Sequence, residues 1–192
     1  MKKLFIVLAF LTIQFFFSQE SKVDLKIKYK IENLKQNGSD TIVVYSENCV
    51  GCKPKIIRKD ECFSDETKFI FWAKNDNYFM QKMDACNEYV EQKMDNSEFM
   101  KMGIKNPQLI ESAKIKHVEH KINKKKTTSY LVDHYTYYDF EFYYKNKNFN
   151  KEIIDYELET KMINEKTPND NYQFNQKSIL KKLLDLVKKE IY

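Results

Sequence analysis

The sequence predicts an α+β domain: an antiparallel sheet built from hairpins, packed against helices that include an amphipathic C-terminal one. Three observations support this. Two β-rich runs, residues 68–73 and 78–83, flank the polar tip Lys74-Asn75-Asp76-Asn77, a composition suited to a tight hairpin turn. A long aromatic run fills residues 130–144, and Lys145-Asn146-Lys147-Asn148 can turn it back into residues 149–158. Near the end of the chain Ile179, Leu180, Leu183, Leu184, Val187 and Ile191 recur at helical spacing, with paired lysines on the opposite face. Hairpin strands in runs, with helices between and after them that cover the sheet, give this class of architecture.

The first element is a targeting segment. Lys2 and Lys3 precede an apolar run from Leu4 to Phe17 that only Thr12 and Gln14 interrupt, and polar Ser18, Gln19 and Glu20 follow. That order is the charged, apolar, polar order of a secretory signal peptide. The run is shorter than the roughly 20 apolar residues of a spanning helix, so cleavage is expected and no stable membrane insertion afterwards. Phe16 departs from the small residue usual three positions before the cut, so the scissile bond is placed only near Ser18. The expected organisation is a signal peptide over residues 1–18 and a single domain over residues 19–192, exported to the periplasm or secreted.

Within that domain, Val23, Leu25, Ile27, Tyr29 and Ile31 alternate with Asp24, Lys26, Lys28 and Lys30, the period of a half-buried strand. Asn37-Gly38-Ser39-Asp40 supplies turn residues, and the β-branched run 41–45 is expected to pair back on the first strand. The 68–83 hairpin follows. Residues 95–114 are expected to be helical in two pieces, the first capped by Asn96 or Ser97 and the second started by Asn106-Pro107. Residues 115–122 fit strand and helix equally, 124–128 read as a polar loop, and 164–171, with Pro168, as another.

Composition removes several function classes. The formal charge is +5, and losing Lys2 and Lys3 leaves +3. Arg58 is the sole arginine among 33 basic residues. Bidentate recognition of phosphate and guanine relies on arginine, so specific nucleic-acid binding is not expected. Only Gly38, Gly51 and Gly103 are glycines. Phosphate cradles and nucleophile elbows need clustered glycines for close backbone approach, so no nucleotide cofactor or serine-hydrolase motif is present.

The four cysteines are spaced Cys49-x2-Cys52-x9-Cys62-x23-Cys86. An even number in an exported chain points to disulfides. Spacing alone leaves three pairings open. The expectation is two bridges, at least one of them joining the Cys49–Cys52 region to Cys62 or Cys86, which would tie the two predicted hairpins together. A zinc site is the weaker alternative, because structural zinc sites usually repeat a paired spacing and Cys62 stands far from Cys86. His117 and His120 would share a face only on a helix, and His134 stands alone on a predicted strand. Asp133, Asp139 and Glu141 are the carboxylates placed among aromatics where acid–base work is conceivable, and alternation on a half-exposed strand explains them without it. The aromatic stripe from Tyr135 to Tyr144 serves either as sheet core or as a partner surface.

Two resemblances follow from particular residues. Val43-Val44-Tyr45-Ser46-Glu47-Asn48-Cys49-Val50-Gly51-Cys52-Lys53-Pro54 resembles the strand and active-site turn of thioredoxin-fold oxidoreductases. The resemblance implies an attacking thiolate at Cys49 and a resolving thiol at Cys52. It covers these dozen residues, and a short charged stretch follows Pro54 where that family has a long amphipathic helix. The charged N-terminal segment ending Phe17-Ser18-Gln19, the Cys49-Val50-Gly51-Cys52 motif, Phe69-Ile70-Phe71-Trp72, Tyr78-Phe79-Met80-Gln81-Lys82 and Cys86 together resemble small exported proteins common in Bacteroidota, mainly over residues 1–90. That resemblance implies a compartment and no activity. The leading expectation is a non-enzymatic exported protein, stabilised by disulfides and acting as a structural or binding module toward a protein or envelope partner. The alternative is a thiol-disulfide oxidoreductase using Cys49 and Cys52.

Overall fold

The computed structural model describes residues 21–52, 66–123, 126–130, 132–145 and 147–192. The expected signal peptide, Arg58 and Cys62 lie outside the described residues. The fold is α+β, with a six-stranded antiparallel sheet at its centre in the order Gln92–Met94, Asn77–Asp84, Thr67–Lys74, Thr41–Val50, Tyr135–Tyr144, Lys147–Ile154.

The first described element corrects the sequence reading. Residues expected to alternate as a strand form helix α1, Lys22–Gln36. Positions 23, 27 and 31 fit a period of two and a period of four equally well, and Leu34 belongs only to the helical stripe. Val23, Ile27, Ile31 and Leu34 are the buried ones, whereas Tyr29 is 69% exposed. Ser21 caps the start, its Oγ accepting the Asp24 N–H at 3.1 Å. Gly38 takes φ +84°, with Ser39 N–H donating to the Leu34 carbonyl and Gly38 N–H to that of Lys35. This is a Schellman stop, so Asn37-Gly38 ends a helix and turns no hairpin.

β1, Thr41–Val50, is therefore a central strand, paired with β2, Thr67–Lys74, on one side and with β7, Tyr135–Tyr144, on the other. Being central, it buries both faces: Ile42 and Val44 toward α1, Val43 and Tyr45 toward the opposite layer. β2 and β3, Asn77–Asp84, form the expected hairpin, in register from Thr67↔Asp84 to Lys74↔Asn77. Asn75 and Asp76 at its tip both have positive φ, 49° and 59°, as a type I′ turn requires. A three-residue edge strand, β4, Gln92–Met94, then pairs with β3. It is too short to show in a periodicity.

Helices α2, Glu98–Lys105, and α3, Pro107–Ser112, start where the sequence placed them, at Ser97 and at Asn106-Pro107. β5, Glu119–Asn123, and β6, Lys126–Ser129, pair antiparallel, so the part of the expected polar loop over 126–128 is strand. β7 begins later than expected, at Tyr135, and β8, Lys147–Ile154, ends earlier, giving way to α4, Asp155–Glu159. The expected loop at 164–171 holds a minimal hairpin of β9, Met162–Asn164, and β10, Thr167–Pro168. α5, Tyr172–Gln176, precedes the last helix, α6, Ile179–Ile191.

Two apolar layers sandwich the sheet. On one face α1 packs Val23, Ile27, Ile31 and Leu34 over Ile42, Val44, Ile70, Trp72 and Met83. On the other, Leu180, Leu183, Leu184 and Val187 of α6 join Phe99, Met100 and Ile110 over Val43, Tyr45, Phe71, Phe140 and Phe142. α6 thus spends its apolar stripe on the sheet, as expected, and no described helix is long and apolar enough to cross a membrane.

Candidate functional site

β7 explains the aromatic stripe by simple alternation. Its even positions, Tyr138, Phe140 and Phe142, are buried in the α6 layer. Its odd positions, Tyr135, Tyr137, Asp139, Glu141 and Tyr143, point to the α1 side of the sheet. α1, however, lies over β1, β2 and β3. Only Tyr143 of the odd row reaches its apolar cluster, with Lys35 Nζ 4.9 Å from the Tyr143 ring centroid. The rest of the row lies outside that cluster: Glu141, with Tyr143, lines a groove beside Asp24, Lys28 and Lys35 of α1, Tyr135 meets Tyr156 of α4, and Asn148, Asn150 and Glu152 of β8 are exposed.

This face is acidic and aromatic. Tyr143 donates its hydroxyl to Glu141 Oε2 at 2.6 Å. Asp139 stands opposite Glu152 on β8 and opposite Ser46 on β1, and Ser46 in turn faces Lys68 on β2. Burial, then the neighbouring charges of Glu141 and Glu152, hold the Asp139 carboxyl above its ordinary range, with Lys68 pulling the other way. Lys68 is itself committed to an ion pair with Asp24 of α1. Burial opposes ionisation of Asp24, and its hydrogen bonds and attraction to Lys68 and Ser21 outweigh that and lower its pKa. Lys68 is thus shared between Asp24 and the charges of Asp139 and Glu141. At the far end of the row Tyr135 meets Tyr137 with centroids 6.5 Å apart and Tyr156 of α4 edge-on at 5.7 Å.

The same end of β7 carries the disulfide. Cys49 bonds Cys52, with Cα atoms 5.7 Å apart. Cys49 pairs across the sheet with Thr136, Val50 with Tyr135, and both cysteines are exposed. The expected bridge from this region to Cys62 or Cys86 is not made, because each sulfur is used by the other. The physical reason is that the turn after β1 brings residues 49 and 52 within bonding reach of each other. Cys86 sits in the turn after β3, where its N–H donates to Asp84 Oδ1 at 2.8 Å. The correction matters energetically: closing four residues restricts the unfolded chain by about 2 kcal/mol, whereas a Cys49–Cys86 bridge would contribute about 4 kcal/mol.

Gly51 of this turn has φ +73°, a conformation other residues adopt at a cost. His134 lies directly against it: a β-carbon on Gly51 would sit 2.7 Å from His134 Cδ2 and 2.8 Å from the Asp133 carbonyl oxygen. His134 was legible in the sequence only as a lone histidine, and its packing on the cysteine turn was not.

The other two histidines are structural partners in a separate region. His117 Nδ1 lies 2.5 Å from Glu157 Oε1 and His120 Nδ1 3.0 Å from Asp170 Oδ1, tying the β5–β6 region to α4 and the 169–171 segment. Asn175, fully buried, accepts the Lys116 N–H and donates to the Lys116 and Glu157 carbonyls. Comparison of the chain with protein-family models, with curated proteins and with solved structures gives no match.

Proposed function

We propose that the chain works outside the cytoplasm as a non-enzymatic binding module, and that the acidic, aromatic face of β7 and β8 beside α1 takes a basic, extended segment of an envelope protein. The observation that carries this is the half-buried row Tyr135, Tyr137, Asp139, Glu141 and Tyr143, of which only Tyr143 joins the apolar cluster beneath α1. Tyrosines give rigid contact area at low conformational cost. Asp139, Glu141 and Glu152 are close enough for the last two to raise the pKa of the first, and a lysine- or arginine-rich segment relieves that repulsion. The export half of the reading rests on Lys2, Lys3 and the Leu4 to Phe17 run.

Calorimetric titration of the mature chain with a lysine-rich peptide tests the docking. Binding is expected that weakens steeply between low and high salt and is lost in Asp139→Asn/Glu141→Gln. Binding untouched by the double substitution places the peptide elsewhere and ends the reading. Export is tested separately by intact mass of the protein from its host, where a soluble form still carrying Met1 contradicts it.

A further inference from the structure

We propose that the open cleft between residues 112–119 and helix α5 binds a small aryl carboxylate, with Lys114 and Lys116 taking the anion and Phe174 and Ile115 the ring. The cleft shares no residue with the acidic row of β7 and β8. It therefore stands or falls without the docking reading.

The cleft encloses about 580 Å³. Small-molecule sites of that size combine apolar walls with a few fixed polar groups. Ala113, Ile115 and Phe174 supply the apolar lining here, and Lys114, Lys116 and His117 the basic one. Phe174 is 49% exposed, and Lys116 Nζ stands 4.1 Å from its ring centroid, so a cation and an open apolar surface lie side by side. A bare anion would leave that surface in water, whereas a flat ring covers it.

What separates this cleft from an ordinary surface hollow is how its wall is held. Fully buried Asn175 grips the Lys116 backbone twice, accepting the N–H at 2.9 Å and donating to the carbonyl at 2.8 Å. Buried Asn171 donates to the His117 carbonyl at 3.0 Å. Glu157, with a side chain only 6% exposed, holds the ring of His117, whose own side chain is 83% exposed. Buried amides and a buried carboxylate thus fix residues that face solvent. A binding site gains from this, because less freedom is lost when the ligand arrives.

The charge of the site favours an anion. Glu119, the acidic residue of the lining, is already an acceptor for Asn171 Nδ2 at 3.0 Å. Lys151 of β8 reaches the Ala113 carbonyl at 2.9 Å. Burial lowers the Lys151 pKa, Glu111 opposes this, and the charge of Lys114 adds to it, so the lysines around Ala113 repel one another. A carboxylate seated at Lys114 and Lys116 relieves that repulsion.

Titration of the mature chain with phenylacetate, followed by amide nuclear magnetic resonance, tests the proposal. Saturable shifts are expected at residues 113–119 and 171–174. Affinity should fall several-fold in Lys116→Gln and in Phe174→Ser, with melting temperatures unchanged because both side chains are exposed. Lys114→Gln, also at an exposed position, gives the same charge reading if Lys116→Gln fails to fold. Phenylacetamide, which keeps the ring without the charge, should bind several-fold more weakly, and so should inorganic phosphate, which has charge without a ring. Equal affinity for the amide or for phosphate overturns the assignment, as do shifts confined to other surfaces or none at millimolar phenylacetate.

Discussion

Glu190, near the C-terminus of the last helix, caps the N-terminus of α2 through Ser97. Ser97 Oγ donates to Glu190 Oε2 at 2.8 Å and accepts the Met100 N–H at 3.0 Å, while Phe99 N–H donates to Glu190 Oε1 at 3.0 Å. Ser97 is fully buried, so this cap joins two helices inside the α6 layer that supports the sheet. Ser97→Ala removes both roles at once. The expected loss is about 1 to 2 kcal/mol, at the upper end for a cap, measured by denaturant unfolding. A change within error shows that the backbone N–H groups find other partners.

Gly51→Ala should destabilise the oxidised chain by about 1 to 3 kcal/mol, because φ is +73° and the new carbon would meet His134 and the Asp133 carbonyl inside 3 Å. Combining it with His134→Ala should recover only part of the loss, since the carbonyl and the positive φ remain. Thermal melts of the single and double variants decide this, and complete recovery contradicts the backbone share of the clash.

Asp139 sets a pH dependence whose sign follows from its environment. Burial and the charges of Glu141 and Glu152 raise its pKa in the fold above the ordinary 3.8. Between the unfolded and folded values the native chain binds more protons, so this group's contribution is complete below the unfolded value and is lost as pH rises through the folded one. Glu190, raised chiefly by burial, acts in the same direction. Asp139→Asn should therefore flatten part of the decline in stability above pH 4 and raise the neutral-pH melting temperature by roughly 2 °C. A lower melting temperature at pH 7 means that the carboxylate is compensated in the fold.

Asn175→Ala leaves the Lys116 N–H and two carbonyls without their buried partner and should cost about 2 to 3 kcal/mol. Amide exchange should report the damage first in 115–119 and α4. Uniform protection loss across the central sheet instead shows that this region unfolds with the core.

The sequence made part of this fold plain. The 67–84 hairpin, both helix starts at Ser97 and Pro107, and the apolar stripe of α6 follow from local signals that tertiary contacts reinforce. α1 was misread because its buried positions satisfy two periods, and because Asn37-Gly38 serves a helix stop as well as a turn. The site was half legible. The aromatic run showed, but which of its residues α1 covers depends on where α1 lies. The cysteine pairing depends on the turn after β1, and the contact of Gly51 with His134 spans more than eighty positions of sequence, beyond any local pattern.

The docking reading is tested most directly by nuclear magnetic resonance of the mature chain titrated with the lysine-rich peptide. The account predicts amide shifts concentrated at Tyr135, Tyr137, Asp139, Glu141 and Tyr143 and at the neighbouring Asn148, Asn150 and Glu152, with α6 unmoved. Shifts confined to other surfaces, or none at millimolar peptide, contradict it.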